Sequence, residues 1–145
     1  MEKAYKCTKK DEKDLEFLQW FIFKNSQFTI WHRPKPTHII LLKEKFNLTA
    51  LVTLQSEKEN LGDLQVICEK LNIKWFHIPL EGANLPLLQK KSTKSNVKKG
   101  LKEILCLINE SKNEIFLIHC AAGIHRTGVF TYSIFRLLGF VCFCE

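Results

Sequence analysis

The chain has 145 residues, enough for one domain with a real core, and its 46% apolar and 26% charged composition excludes a disordered polypeptide. A formal charge of +7 favours anionic partners such as phosphorylated protein, phosphoinositide headgroups or nucleic acid. The charged start "MEKAYKCTKKDEKD" lacks the apolar run of a secretion signal. No stretch reaches the length of a membrane span, because Arg136 and Gly139 break the longest apolar run.

In chain order, "DLEFLQWFIFK" is apolar and aromatic and suits a short helix or a strand. "QFTIWHRPKP" reads as a strand ended by its prolines, which cannot continue a ladder. "THIILLKEKFN" has helical spacing, with Thr37 placed to cap it. "LTALVTLQ" is a β-rich apolar run, and "EKENLGDLQVICEKLN" has helical period interrupted by Gly62. "IKWFHIPL" is the next strand, and "EGANLPLLQKKSTKSN" has the Gly, Pro and Ser punctuation of a loop. "VKKGLKEILCLINESK" is an amphipathic helix. "EIFLIHC" is apolar at nearly every position, as a central parallel strand covered on both faces must be. Strands alternating with helices imply a single α/β domain whose central, mainly parallel sheet is flanked by helices.

The chemistry concentrates where that last strand ends. In such a sheet, ligands bind beyond the carboxyl ends of the strands. Cys120 stands there, followed by Ala121, Ala122, Gly123, Ile124 and His125, a loop short enough to curl its N–H groups around one anion. The helix expected from Arg126 onward points its positive end at this loop, which lowers the pKa of a thiol and favours the nucleophilic thiolate. Gly123 lets the loop turn, and Gly128 would allow close packing at the helix start. Arg126 can hold two phosphate oxygens through its planar fork, and the Thr127 hydroxyl can donate to the sulfur.

"HCAAGIHRTG" resembles the H-C-x5-R-[S/T] signature of the protein-tyrosine-phosphatase superfamily, through His119, Cys120, Gly123, Arg126 and Thr127. "WHRPKP", "LTALVTLQSEKE" and "WFHIPLEGANLP" are similar in order to elements of its compact dual-specificity branch, including the cyclin-dependent-kinase-inhibitor type. The resemblance implies attack by Cys120 on phosphorus, a phosphocysteine, and its hydrolysis with help from Thr127, without metal or cofactor. His119 is then a residue that orders the loop, while the role of His125 stays open. The family's general acid is usually an aspartate on a loop upstream. Glu81 is the only carboxylate in "IPLEGANLP" and is the candidate, against the alternative of a solvated loop glutamate; Asp63 is a poorer choice.

These readings place an N-terminal segment at 1–24 and a phosphatase domain at 25–145 that lacks the last helices of its family. Such an ending would expose apolar surface. Expected partners are phosphorylated proteins, in a cytoplasmic or nuclear setting. RNA 5′ ends, phosphoinositides and a non-catalytic phosphate-binding role are the alternatives. The five lysines from Lys90 to Lys99 suit a solvated helix entry or a surface receiving acidic substrates. Cys142-Phe143-Cys144 has no nearby partners for zinc. The resemblance implies that Cys68 or Cys106 could trap an oxidised Cys120 as a disulfide, but both fall on apolar helix faces, where core packing is the competing reading. The sequence carries no signal of oligomeric state.

Overall fold

In the computed structural model, which describes residues 4–111 and 113–139, the strand expected of "EIFLIHC" lies at the centre of the sheet. The strands are β1 (Phe21–Phe23), β2 (Ser26–Trp31), β3 (Ala50–Gln55), β4 (Lys74–Leu80) and β5 (Ile115–His119), and their order across the sheet is β1-β2-β5-β3-β4. β1 runs antiparallel to β2, and the other three pairings are parallel. The helices are α1 (Lys9–Leu15), α2 (Pro36–Phe46), α3 (Leu64–Lys70), α4 (Leu85–Gln89), α5 (Lys91–Glu110) and α6 (His125–Leu137).

Side-chain alternation along β3 and β5 builds two cores. Val52, Phe116 and Ile118 face one side with Ile104 of α5 and Phe130 and Ile134 of α6. Leu51 and Leu117 face the other with Ile39 and Leu42 of α2 and Ile67 of α3. All six residues of β3 are buried, as expected for a strand covered on both faces. The aromatic start of the domain packs on the first core, where Phe21, Phe28, Phe116 and Phe135 form a chain of ring contacts with centroids 5.0–5.9 Å apart.

Several expected boundaries move. Helix α2 starts at Pro36, so Lys35 and not Thr37 is the N-cap. The Thr37 hydroxyl is buried without a partner. Proline suits that first turn because its missing N–H would have no helical acceptor anyway. The helical period read from Glu57 onward yields helix only from Leu64; Ser56–Asp63 instead form a loop above the sheet. The expected loop at 81–96 closes early, because Asn84 caps α4 by accepting from the Leu87 amide at 3.1 Å, and α5 begins at Lys91. Helix α5 approaches β4 closely at Gly100, where a Cβ would overlap the Ile78 side chain.

Helix α1, within the stretch read only as charged, carries a capping box between Thr8 and Asp11. Buried His38 of α2 holds it, donating from Nε2 to Asp14 at 3.1 Å while Nδ1 accepts from the Lys35 amide at 3.2 Å. Asp11, Asp14 and His38 could in principle gather round a metal ion. That would need the proton on Nδ1, facing the Lys35 N–H, so the observed bonding fits a helix clasp.

The described cysteines are free thiols. Cys68 lies in the core across the sheet from Cys120, and burial pushes its thiol up to about 12, so it is a packing residue. Cys106 lies on an apolar helix face as expected but is exposed, not packed in the core. It borders an open apolar cleft of about 630 Å³ between α5 and α6, lined by Leu88, Val97, Leu101, Leu105 and Phe130 among others. No helix among the described residues is long and apolar enough to cross a membrane. Cys142, Phe143 and Cys144 lie outside the described residues.

Candidate active site

The four parallel strands deliver four loops to one end of the sheet, and each contributes to the surroundings of Cys120. The thiol, 3% exposed, follows β5 directly and accepts a hydrogen bond from the Gly123 amide at 3.2 Å. Burial pushes its pKa up, but the hydroxyl and amide of Thr127 and the amides of Gly123 and Ile124 prevail and hold it below its ordinary value. The Thr127 hydroxyl is itself buried and makes no hydrogen bond among the described residues, so its proton is free to turn toward the sulfur. Helix α6 starts at His125 with no acidic residue in its first turn, so its positive end faces the loop unscreened.

Gly123 has φ of +73°, and a Cβ there would overlap the Trp31 carbonyl and the His32 amide. Its lack of a side chain is therefore required twice, by conformation and by the strand end packed beneath it. Gly128 differs from expectation: a Cβ would meet nothing within 4 Å, so the position is open rather than close-packed. The loop backbone is tied to β2's exit, where the Arg33 amide donates to the Ala121 carbonyl at 3.1 Å. The Arg33 guanidinium in turn bonds the Asn60 carbonyl in the loop after β3.

That third loop supplies a residue the sequence reading missed. Glu59 takes both ends of the Arg126 fork, with Nη1–Oε2 of 2.6 Å and Nη2–Oε1 of 3.0 Å, and Nη1 also donates to the Leu80 carbonyl at 2.8 Å. The Ser56 amide anchors Glu59 at 2.7 Å. Hydrogen bonding to Arg126 lowers the Glu59 carboxyl to about 2, keeping the pair charged. Nothing local marked Glu59, since its partner lies 67 residues away.

His119 is fully buried, bonded through Nε2 to the Thr53 hydroxyl at 2.8 Å and through Nδ1 to the Cys120 carbonyl at 3.3 Å. Burial pushes its pKa down to about 4, which makes it neutral at physiological pH. Glu81, Asn84, His125 and Arg126 line a cleft of about 480 Å³. Within it Glu81 is ion-paired to Lys90 at 2.9 Å and to Lys58 at 4.0 Å. The Lys90 hydrogen bond above all holds its carboxyl below the usual range. Asp63 sits away from the cleft, bonded to the Tyr5 hydroxyl at 2.5 Å. Chemically, this is a cradle of amides and guanidinium around an activated thiol, suited to a tetrahedral oxyanion.

The model of the tyrosine phosphatase family matches residues 32–140. The tyrosine-protein phosphatase-like protein OCA2 of Saccharomyces cerevisiae is 24% identical over 105 residues, covering 72% of this chain and 49% of that protein. The chain thus spans about half the length of the curated relative it matches. Among solved structures, the core catalytic domain of the PP-IP phosphatase SIW14 from S. cerevisiae aligns with a TM-score of 0.60 at 21% identity, over 86% of this chain and 67% of that one. Tk-PTP, in a mutant form, aligns at 0.63 and 21%, over 86% and 73%. Kinase associated phosphatase aligns at 0.60 and 13%, over 78% and 65%. At these identities the structural likeness is one of fold.

Proposed function

The chain belongs to the tyrosine phosphatase family, and from that premise we propose that it hydrolyses phosphate monoesters of proteins through a phosphocysteine on Cys120. The observation that carries this reading is a buried sulfur that accepts from the Gly123 amide, beside an arginine held by Glu59, with Thr127 among the groups that hold the thiol below its ordinary pKa. In the first step the Cys120 thiolate attacks phosphorus, the P–O bond to the leaving group breaks, and the leaving oxygen takes a proton. The loop amides of Ala121 to Arg126 and the free edge of the Arg126 fork meet the equatorial oxygens. In the second step water attacks phosphorus and the S–P bond breaks. The sulfur departs as thiolate, stabilised by the Thr127 hydroxyl, and inorganic phosphate is released. This reading takes 25–145 as the catalytic unit and 1–24 as a segment that adds α1 and β1.

We assign proton donation to Glu81, on the rim of the cleft. Paired with Lys90 it is ionised, so it donates only after that ion pair opens. This same pairing favours a second reading, a substrate whose leaving group is itself a phosphate, as in the inositol pyrophosphates. Such a leaving group needs less help from an acid, and Lys58 and Lys90 would meet its charge. A structural neighbour is described as a PP-IP phosphatase.

The test is turnover of an aryl phosphate, a phosphotyrosine peptide and an inositol pyrophosphate by wild type, Cys120→Ser and Glu81→Gln. The proposal expects Cys120→Ser to lose all turnover and Glu81→Gln to lose rate on the peptide. If the pyrophosphate is the better substrate and is indifferent to Glu81→Gln, the second reading replaces the first.

A further inference from the structure

The lysines that follow Lys90 take on a pattern once α5 has formed. Lys94, Lys98 and Lys102 stand four residues apart, so they fall in one row along the helix at intervals of about 6 Å. Beside that row run Val97, Leu101 and Leu105, half-buried and at the same spacing. Both rows border the open cleft of about 630 Å³ between α5 and α6, the exposed lysines as its rim and the apolar row as its wall. Buried Phe130 lines it from α6, and Val129 and Leu137, 40% and 60% exposed, continue the apolar surface along that helix.

Charge on this cleft has one sign. Among the described residues, Lys94, Lys98 and Lys102 make no ion pair or hydrogen bond, and no carboxylate lines the cleft. Glu103 and Glu110 of α5 border a neighbouring cleft on the Phe76 side. An extended peptide would leave its backbone groups unmet here. The uncharged polar lining is Asn109 and a Ser133 hydroxyl that already donates to the Val129 carbonyl. A helix satisfies its own backbone and needs only an apolar face. A single-headed amphiphile would match one lysine and leave two, whereas carboxylates on successive turns of a helix repeat at the lysine interval. A second copy seated face to face would bring rows of like charge together.

We propose that the cleft between α5 and α6 docks an amphipathic helix of a partner protein. Its apolar face fills the cleft, and its Asp or Glu side chains, four residues apart, meet Lys94, Lys98 and Lys102. The lining runs along α5 from Lys94 to Asn109, about 22 Å, the length of a four-turn helix. One end of the cleft reaches Leu80 and Leu88. The Leu80 carbonyl holds Arg126, so a docked helix ends beside the separate cleft that contains Glu81 and His125. Docking does not depend on the reaction at Cys120, and a partner held this way presents its neighbouring segments to the mouth of that site.

The probe is a fluorescein-labelled helical peptide of about 15 residues, with leucines along one face and glutamates at every fourth position beside them. A copy carries lysines in place of the glutamates. In anisotropy titrations of the full chain, the glutamate peptide should bind saturably, at least about tenfold tighter than the lysine copy, and weaken as salt rises. Lys98→Glu combined with Lys102→Glu should reverse that preference while aryl phosphate turnover and melting temperature stay close to wild type. Leu137→Asp, at an exposed position, should weaken the glutamate peptide about tenfold. Turnover is read on the same samples, so failed docking and a failed phosphatase reading are told apart. A glutamate peptide that does not bind, binds no better than its lysine copy, or keeps its advantage on the reversed variant overturns the proposal. So does binding of phosphatidylserine vesicles in its place, which gives the cleft to a membrane, or a dimer that Leu137→Asp dissociates, which gives it to a second copy.

Discussion

Glu59 and Arg126 face one another fork to fork at 2.6 and 3.0 Å, a pairing that fixes the plane in which the guanidinium meets an anion. Two of the arginine's donors are thereby committed to the protein, and a third interaction, to the Leu80 carbonyl, stops rotation about the fork. Removing the carboxylate charge leaves the arginine in place but free to tilt. Glu59→Gln should weaken vanadate inhibition and lower turnover of an aryl phosphate by roughly tenfold or more, the scale of one charge-assisted bond. Inhibition constants and kcat of the two proteins check this. Because the folded-state pKa of Glu59 is lowered to about 2, its stabilising contribution is full above the ordinary carboxylate range and lost as pH falls from there toward about 2.

Gly123→Ala should fail for two reasons at once. Alanine disfavours φ of +73°, and its methyl would overlap the Trp31 carbonyl and the His32 amide. The expected cost is about 1–3 kcal/mol, read as a fall in melting temperature, together with loss of oxyanion binding as the loop shifts. Gly128→Ala meets open space and serves as the control; it should melt no lower than wild type.

Lys90 depresses the protonated fraction of Glu81, the form it needs as a donor. An acid catalyst works only while protonated, so the rate falls as pH rises through its pKa. Lys90 lowers that pKa by hydrogen bonding, and removing it moves the basic limb to higher pH. Lys90→Ala should therefore extend turnover of an alkyl phosphate toward neutral pH and leave a good aryl leaving group little changed. Profiles of kcat/KM against pH for the two substrates check it.

The buried histidines give the fold an acid-sensitive side. Burial lowers the pKa of both His38 and His119, so the unfolded chain binds protons more readily than the folded one near and below the ordinary histidine value. Stability should be full above about 6.5 and decline as pH falls through that value. Melting curves at several pH values check the sign. His38→Gln should flatten part of the decline while loosening α1, whose Asp14 it holds.

How much of this was written locally differs from residue to residue. Strands β3 and β5 announced themselves as apolar runs because both faces are buried, a property each strand carries alone. The loop from Cys120 to Arg126 was legible for the same reason: nucleophile, turn and arginine are neighbours in sequence. Glu59 was not, because its meaning comes from a partner on another element, and the helical period around it pointed to a helix that starts only at Leu64. Thr53 reads as an ordinary strand residue, since only the register between β3 and β5 sets its hydroxyl against His119. The start of α5 was hidden by Lys, Ser and Thr, which by composition look like loop yet suit an exposed helix entry.

The most direct test of the account is to quench the protein during turnover of an aryl phosphate and map the phosphate by mass spectrometry. The expected result is one phosphoryl group on the peptide containing Cys120, absent from Cys120→Ser, which should also release no aryl product. Undiminished turnover by Cys120→Ser, or a phosphoryl group on another residue during turnover, would contradict the account.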